Sequence, residues 1–247
     1  LIDCLWLDIP ILQLEGISFS GSNHFQYTTS LHFMDALPLV NFIYSKSSST
    51  PSCLVTLSEY PSSTEELNFV DYSQLDSNEY IMDLSSFSQL KSFECGDNSF
   101  NSVRNLIING LNQLESIVIG KNSFTLSKNS YDERTNREFH VTNCSSLREL
   151  IIDRYSFSDY HIFDLSNLPN LKTITIGSSS ESFNFYYVET VEFSSLPSLE
   201  SIELGYSSFS SCHDIIFESK NDMILLFSRS HSIIFNSTSL PSFAWRW

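Results

Sequence analysis

Between residues 87 and 209 the apolar positions recur in one order: an apolar residue or cysteine, a leucine three places on, then two apolar residues flanking a single variable one. The copies align as Leu90, Phe93 and Cys95; Leu114, Ile117 and Ile119; Leu147, Leu150 and Ile152; Leu171, Ile174 and Ile176; and Leu199, Ile202 and Leu204. Phe87, Leu111, Cys144, Leu168 and Leu196 introduce them. Alternation such as Ile174-Thr175-Ile176 has period two, which predicts a short strand with the isoleucines inward and Thr173 and Thr175 outward. The leucine anchors lie 24, 33, 24 and 28 residues apart, a base period of 24 with insertions of 9 and 4. A constant period in the twenties predicts a solenoid, in which each repeat buries its apolar face against its neighbours.

A phenylalanine trails most copies, and Phe100, Phe124, Phe157, Phe183 and Phe209 are expected to form a buried spine. Upstream, the same spacing is weaker but traceable at Leu14, Val40 and Leu67, which gives eight repeats with degenerate copies over 11–86. The template L-x-x-Φ-x-Φ-x-x-N-x-F resembles the characteristic segment of leucine-rich repeat proteins over about residues 11–209. Its asparagine is kept at Asn98 and Asn122 and replaced by Tyr155, Ser179 and Ser207. The resemblance implies a single leucine-rich repeat domain over 1–247, with a parallel sheet on the concave side. The return side, as in "SDYHIFDLSN" and "YYVETVEFSS", lacks a 3.6-residue period, so extended segments, turns and short helical pieces are expected there. The fold class expected is therefore a mostly β solenoid.

Two stretches break the rhythm. One follows Phe124 and carries dense mixed charge ("TLSKNSYDERTNREFHVTN"); the other, 210–239, reads as a long insertion before a truncated ninth repeat at 240–247 with Leu240 and Phe243 as anchors. The chain opens on Leu1 rather than methionine and ends on Trp245 and Trp247 without a polar cap, which reads as a fragment. Serine clusters between the apolar anchors, which suits turns whose hydroxyls satisfy nearby backbone groups.

Charge and chemistry narrow the function. With 13 basic against 29 acidic side chains the net charge is −16, which argues against nucleic acid as a partner because phosphate recognition needs clustered cations. No stretch approaches the roughly 20 apolar residues of a membrane span. The chain has no phosphate-binding glycine loop, dinucleotide fingerprint, H-E-x-x-H or G-x-S-x-G, so no catalytic residue, cofactor or metal is expected. Its five cysteines are scattered singly, and Cys95 and Cys144 stand at core positions. Two sequons, at Asn143 and Asn236, are at the level chance gives in so serine-rich a chain.

What remains is the outward face of the repeated strands. Counting along the template places Tyr44, Asp71, Glu94, Val118, Ile151, Thr175 and Glu203 in its central row, Phe42, Phe69 and Glu149 beside them, and Asp97, Lys121, Arg154 and Tyr206 just past the strands. An apolar centre between charges of both signs suits a protein or peptide partner, although β-propensity alone also selects such residues. The alternatives are a structural or cell-surface repeat protein with no specific ligand on this face, and a carbohydrate-active β-helix in which Asp71 and Glu94 act as a carboxylate pair.

Overall fold

The computed structural model describes residues 11–14, 30–33, 53–75, 80–126, 137–193, 196–217, 224–227, 233–235 and 242–245. It is a mostly β solenoid of about five turns, built from parallel strands with almost no helix. A short 3₁₀ turn at Leu57–Glu59 is the one helical element among the described residues.

Parallel strands form a front sheet of eight: Glu66–Phe69, Ser92–Cys95, Ser116–Ile119, Glu149–Ile152, Thr173–Glu181, Ser201–Tyr206, Ile224–Phe227 and Ser242–Trp245, in that spatial order. The pairing is in register, with Phe93, Ile117, Leu150, Ile174 and Ile202 side by side and pointing inward. Strands returning along the opposite side form a second sheet from Ile81–Asp83, Asn105–Asn109, Glu138–Thr142 and Ile162–Ser166, and a third from Thr190–Phe193, Asp214–Phe217 and Ile233–Phe235. Consequently the expected extended return side is realised as true sheet. Two of these strands and the front strand Ile224–Phe227 occupy the 210–239 stretch that the 24-residue rhythm marks as an insertion, and Ser242–Trp245 continues the front sheet into 240–247. Paired positions lie 23 and then 18 residues apart on the front sheet and 24 and then 18 on the return side, so the period contracts in this stretch.

The core lies between the sheets. Leu106 and Ile108, Phe139 and Val141, and Phe163 and Leu165 face the front isoleucines from the return strands, all buried. Each such side chain contributes roughly 1.5–3 kcal/mol by leaving water. The leading L-x-x-L step is explained by a turn: the amides of Leu90, Leu114, Leu147, Leu171 and Leu199 donate to the carbonyls of Phe87, Leu111, Cys144, Leu168 and Leu196, three residues back, at 2.9–3.3 Å. The two apolar residues are thus the ends of one tight turn, both facing inward.

After the five front strands from Ser92–Cys95 to Ser201–Tyr206 the chain reverses through two left-handed residues separated by one. Asn98, Asn122, Tyr155, Phe183 and Ser207 hold the first position, and Phe100, Phe124, Phe157, Phe185 and Phe209 the second, with φ between 48° and 64°. That conformation costs roughly 1–2 kcal/mol for a residue with a Cβ, and the packing beneath it supplies the compensation. The phenylalanine rings follow one another at 5.4, 4.8, 5.1 and 5.2 Å, close to the spacing of neighbouring strands of about 4.8 Å. Phe185, not Phe183, stands in this spine. The strand Thr173–Glu181 is extended by an irregularity between Ile176 and Glu181, which shifts the corner and puts Phe183, rather than Ser179, in the asparagine column.

Between the two left-handed residues sits a buried polar residue: Ser99, Ser123, Ser156, Asn184 or Ser208. Ser156 Oγ donates to Gly120 O at 2.6 Å and accepts from the Ser123 amide at 3.0 Å; Ser123 Oγ donates to Gly96 O at 2.8 Å and accepts from the Ser99 amide at 3.1 Å. Asn184 continues the series by donating to the Asp153 and Ser156 carbonyls. These hydroxyls satisfy backbone groups of the neighbouring turn as well as local ones, and they are buried because the corner is closed on itself.

Candidate recognition face

The register fixes which side chains share the outer face of the front sheet. Its central row reads Asn68, Glu94, Val118, Ile151, Thr175 and Glu203, on six successive strands. The row before it reads Glu66, Ser92, Ser116, Glu149, Thr173 and Ser201. Glu94, Val118, Glu149, Ile151, Thr175 and Glu203 therefore stand where the template places them, and Val118 and Ile151 are direct cross-strand neighbours, both half-buried. Cross-strand apolar pairs at this separation make one continuous surface.

The turn at Leu67 departs from the expectation. Leu67 pairs with Phe93, not Leu90, so the anchor position falls to Thr64, whose hydroxyl donates to Pro61 O at 2.7 Å inside the same kind of turn. The shift of three moves Phe69 from the outer face to the core, where it is buried and meets Phe93 and Phe100 edge-on at 6.3 and 5.1 Å. It also moves Asp71 out of the central row into the column of Asp97. Asp71 and Glu94 are then not a facing carboxylate pair. Phe42 and Tyr44 lie outside the described residues.

Asp71 and Asp97 have a structural task. Asp71 Oδ1 accepts the Asp97 amide and Asp97 Oδ1 accepts the Lys121 amide, both at 2.8 Å, which ties each turn to the next just past the strand. Glycine precedes Asp97 and Lys121 because no Cβ fits: one on Gly120 would stand 2.5 Å from the carbonyl carbon of Gly96. Arg154 lies 5.8 Å from the Tyr155 ring and is half-buried, and Tyr206 is exposed at the end of its strand. Charged residues just before the strands, Glu65, Lys91, Glu115, Arg148, Lys172 and Glu200, are linked turn to turn through their backbones and balance in sign. Lys91 meets Glu65 at 2.7 Å and Lys172 meets Glu200 at 2.9 Å; exposed pairs of this kind contribute little.

Comparison with protein-family models, curated proteins and solved structures gives no significant match.

Three features elsewhere were not legible in the sequence. On the return sheet His140 lies between Glu138 and Asp164, with each ring nitrogen 3.2 Å from a carboxylate oxygen; Asp164 comes from the next strand, 24 residues on, so no local spacing reveals the group. Arg137 is fully buried, with Nη1 2.6 Å from Asp159 Oδ2 and Nη2 donating to the carbonyls of Asn101, Val103 and Phe124. Its guanidinium lies 4.7 Å from the Tyr160 ring. Burial pushes the Asp159 carboxyl above its usual range, more than the Arg137 charge pulls it down, and burial likewise lifts the Tyr160 hydroxyl. Finally, an exposed asparagine column joins Asn109, Asn143 and Asn167 at 2.8 and 2.7 Å, which occupies the sequon side chain of Asn143.

Cys95, Cys144 and Cys212 are buried free thiols, and desolvation pushes the Cys95 thiol up to about 12. A thiol so displaced is a poor nucleophile and a poor metal ligand at neutral pH. Among the described residues no helix is long and apolar enough to cross a membrane, and no group of three or more His, Cys, Asp or Glu side chains is arranged to hold a metal ion.

Proposed function

We propose that the chain is a non-enzymatic recognition scaffold of the leucine-rich repeat type, binding a protein or peptide through the outer face of the front sheet. The observation that carries this reading is the Val118–Ile151 pair: two half-buried apolar side chains, adjacent on neighbouring strands, in a stretch of six strands whose other outward positions hold Asn, Ser, Thr and Glu, with Ile224 and Leu226 next in the same two rows. Apolar residues framed by polar ones are the arrangement of a contact core and its rim. The repeat type rests on the L-x-x-Φ-x-Φ register, the tight turn that closes each L-x-x-L step and the Asn122-to-Asn98 side-chain bond at 2.9 Å. The count of eight repeats belongs to the same reading.

A second reading, the β-helix, is favoured by the return strands, because two parallel sheets facing across a core describe that architecture as well. Its catalytic form loses support from the Asp71 shift, which leaves Asn68 beside Glu94. The test is partner capture with Val118→Glu/Ile151→Glu against wild type: loss of the captured protein with an unchanged far-UV CD spectrum supports recognition, and equal capture rejects it. A saccharide array with the same two proteins separates the second reading.

A further inference from the structure

We propose that the occupant of this face is a cationic, extended polypeptide segment, with basic residues at two alternate positions and an apolar residue at the next alternate one. The inference rests on the recognition reading and adds the chemistry of the partner. Charge on the face is uneven: its first two strands carry carboxylates alone, whereas Glu149 and Asp153 share the fourth with Arg154. Its first two strands and their corners carry Glu66, Asp71, Glu94 and Asp97 at outward positions with no cation among them, since Lys91 at their edge is held by Glu65. Val118 and Ile151 follow on the third and fourth strands, and the cations Lys121 and Arg154 appear only there. Asp71 and Asp97 use Oδ1 on backbone amides, and among the described residues Oδ2 of neither is engaged. Tyr72, 47% exposed, sits on the same corner and offers a ring of the kind that attracts Lys or Arg.

Spacing selects the segment. From the strand of Glu66 to that of Ile151 is three steps of about 4.8 Å, or about 14 Å; side chains on one side of an extended chain recur every 6.7 Å or so, and three of them cover about 13 Å. A segment Lys-x-Lys-x-Leu laid across the strands puts its lysines over the carboxylates and its leucine over Val118 and Ile151. A nucleic acid is repelled by the same carboxylates, and a simple polyamine has nothing to place on the apolar pair.

The test is fluorescence anisotropy with a labelled Gly-Lys-Ser-Lys-Ser-Leu-Gly peptide, a Lys-to-Glu version and a Leu-to-Ser version. Wild type is expected to bind the first, to ignore the second, to bind the third more weakly, and to lose affinity as salt rises to about 0.5 M. Glu66→Lys/Glu94→Lys is expected to weaken binding about tenfold or more, and Glu66→Gln/Glu94→Gln by less, with melting temperatures matched to wild type. No binding of the cationic peptide, or binding indifferent to the charge changes, overturns the proposal. Partner capture that depends on Val118 and Ile151 but not on Glu66, Glu94 or salt overturns it while leaving the recognition reading standing.

Discussion

Phe157 is the place where the logic of the corner is most exposed to experiment. Its ring is fully buried, stacked on Phe124 at 4.8 Å and Phe185 at 5.1 Å, and met edge-on by Phe139 at 4.9 Å and Tyr160 at 4.8 Å. Phe157→Ala leaves a cavity in the middle of the spine, with an expected loss of about 3–5 kcal/mol. The backbone adds a second, opposite effect. Phe157 has φ of 57°, so an alanine there keeps the left-handed strain while losing the ring that compensates it. Glycine loses the same ring but relaxes roughly 1–2 kcal/mol of strain, against roughly 0.5–1 kcal/mol of extra chain entropy in the unfolded state. Phe157→Gly is therefore expected to be less destabilised than Phe157→Ala by about 0.5–1 kcal/mol, reversing the order found at ordinary strand or helix positions. Urea unfolding followed by far-UV CD measures both. Phe157→Gly falling below Phe157→Ala would refute the claim that a left-handed phenylalanine is held in place by the stack.

Ser156→Ala is expected to cost about 1–3 kcal/mol by urea unfolding, because it strands the Ser123 amide and the Gly120 carbonyl in the core. Gly120→Ala drives a Cβ into the Gly96 backbone and is expected to lower the melting temperature more than Gly110→Ala, where φ is 72° but nothing lies within 4 Å. The Asp159 carboxyl is displaced upward in the folded protein, so the folded state holds its proton to higher pH than the unfolded chain, and the contribution of this group to stability falls as pH rises through its folded value. Above a pH of about 4, wild type is expected to lose stability with rising pH relative to Asp159→Asn, and parallel pH profiles would contradict this.

The sequence makes the front strands legible between Phe87 and Leu204, because an inward position on a solenoid tolerates only apolar residues and the period then repeats. Where a polar residue fills such a position the reading slips. Thr64 closes its turn through a hydroxyl-to-Pro61 bond, does without a leucine, and so misplaces Phe69 and Asp71 by three. The bulge after Ile176 moves Phe183 outward by the same kind of local accident. Serine at the corners looks like surface, yet Ser99, Ser123 and Ser156 are buried, since composition does not say that a hydroxyl serves the backbone of another turn. Arg137 and Asp159 come from opposite ends of one turn, and their meeting depends on the return strand closing beside Tyr160. The outer face of the front sheet was half legible: the adjacency of Val118 and Ile151 follows from counting, whereas the structural use of Asp71 and Asp97 follows only from the turn-to-turn amide bonds.

The most direct measurement compares partner capture by three proteins: wild type, Val118→Glu/Ile151→Glu on the front face, and Ile162→Glu on the return sheet, where the isoleucine is 39% exposed. All three substitutions sit at outward strand positions, so CD spectra and melting temperatures are expected to match. A protein held by wild type and by Ile162→Glu but lost from the front-face variant is the expected result. Retention by all three, or loss with Ile162→Glu alone, would contradict recognition through the front sheet.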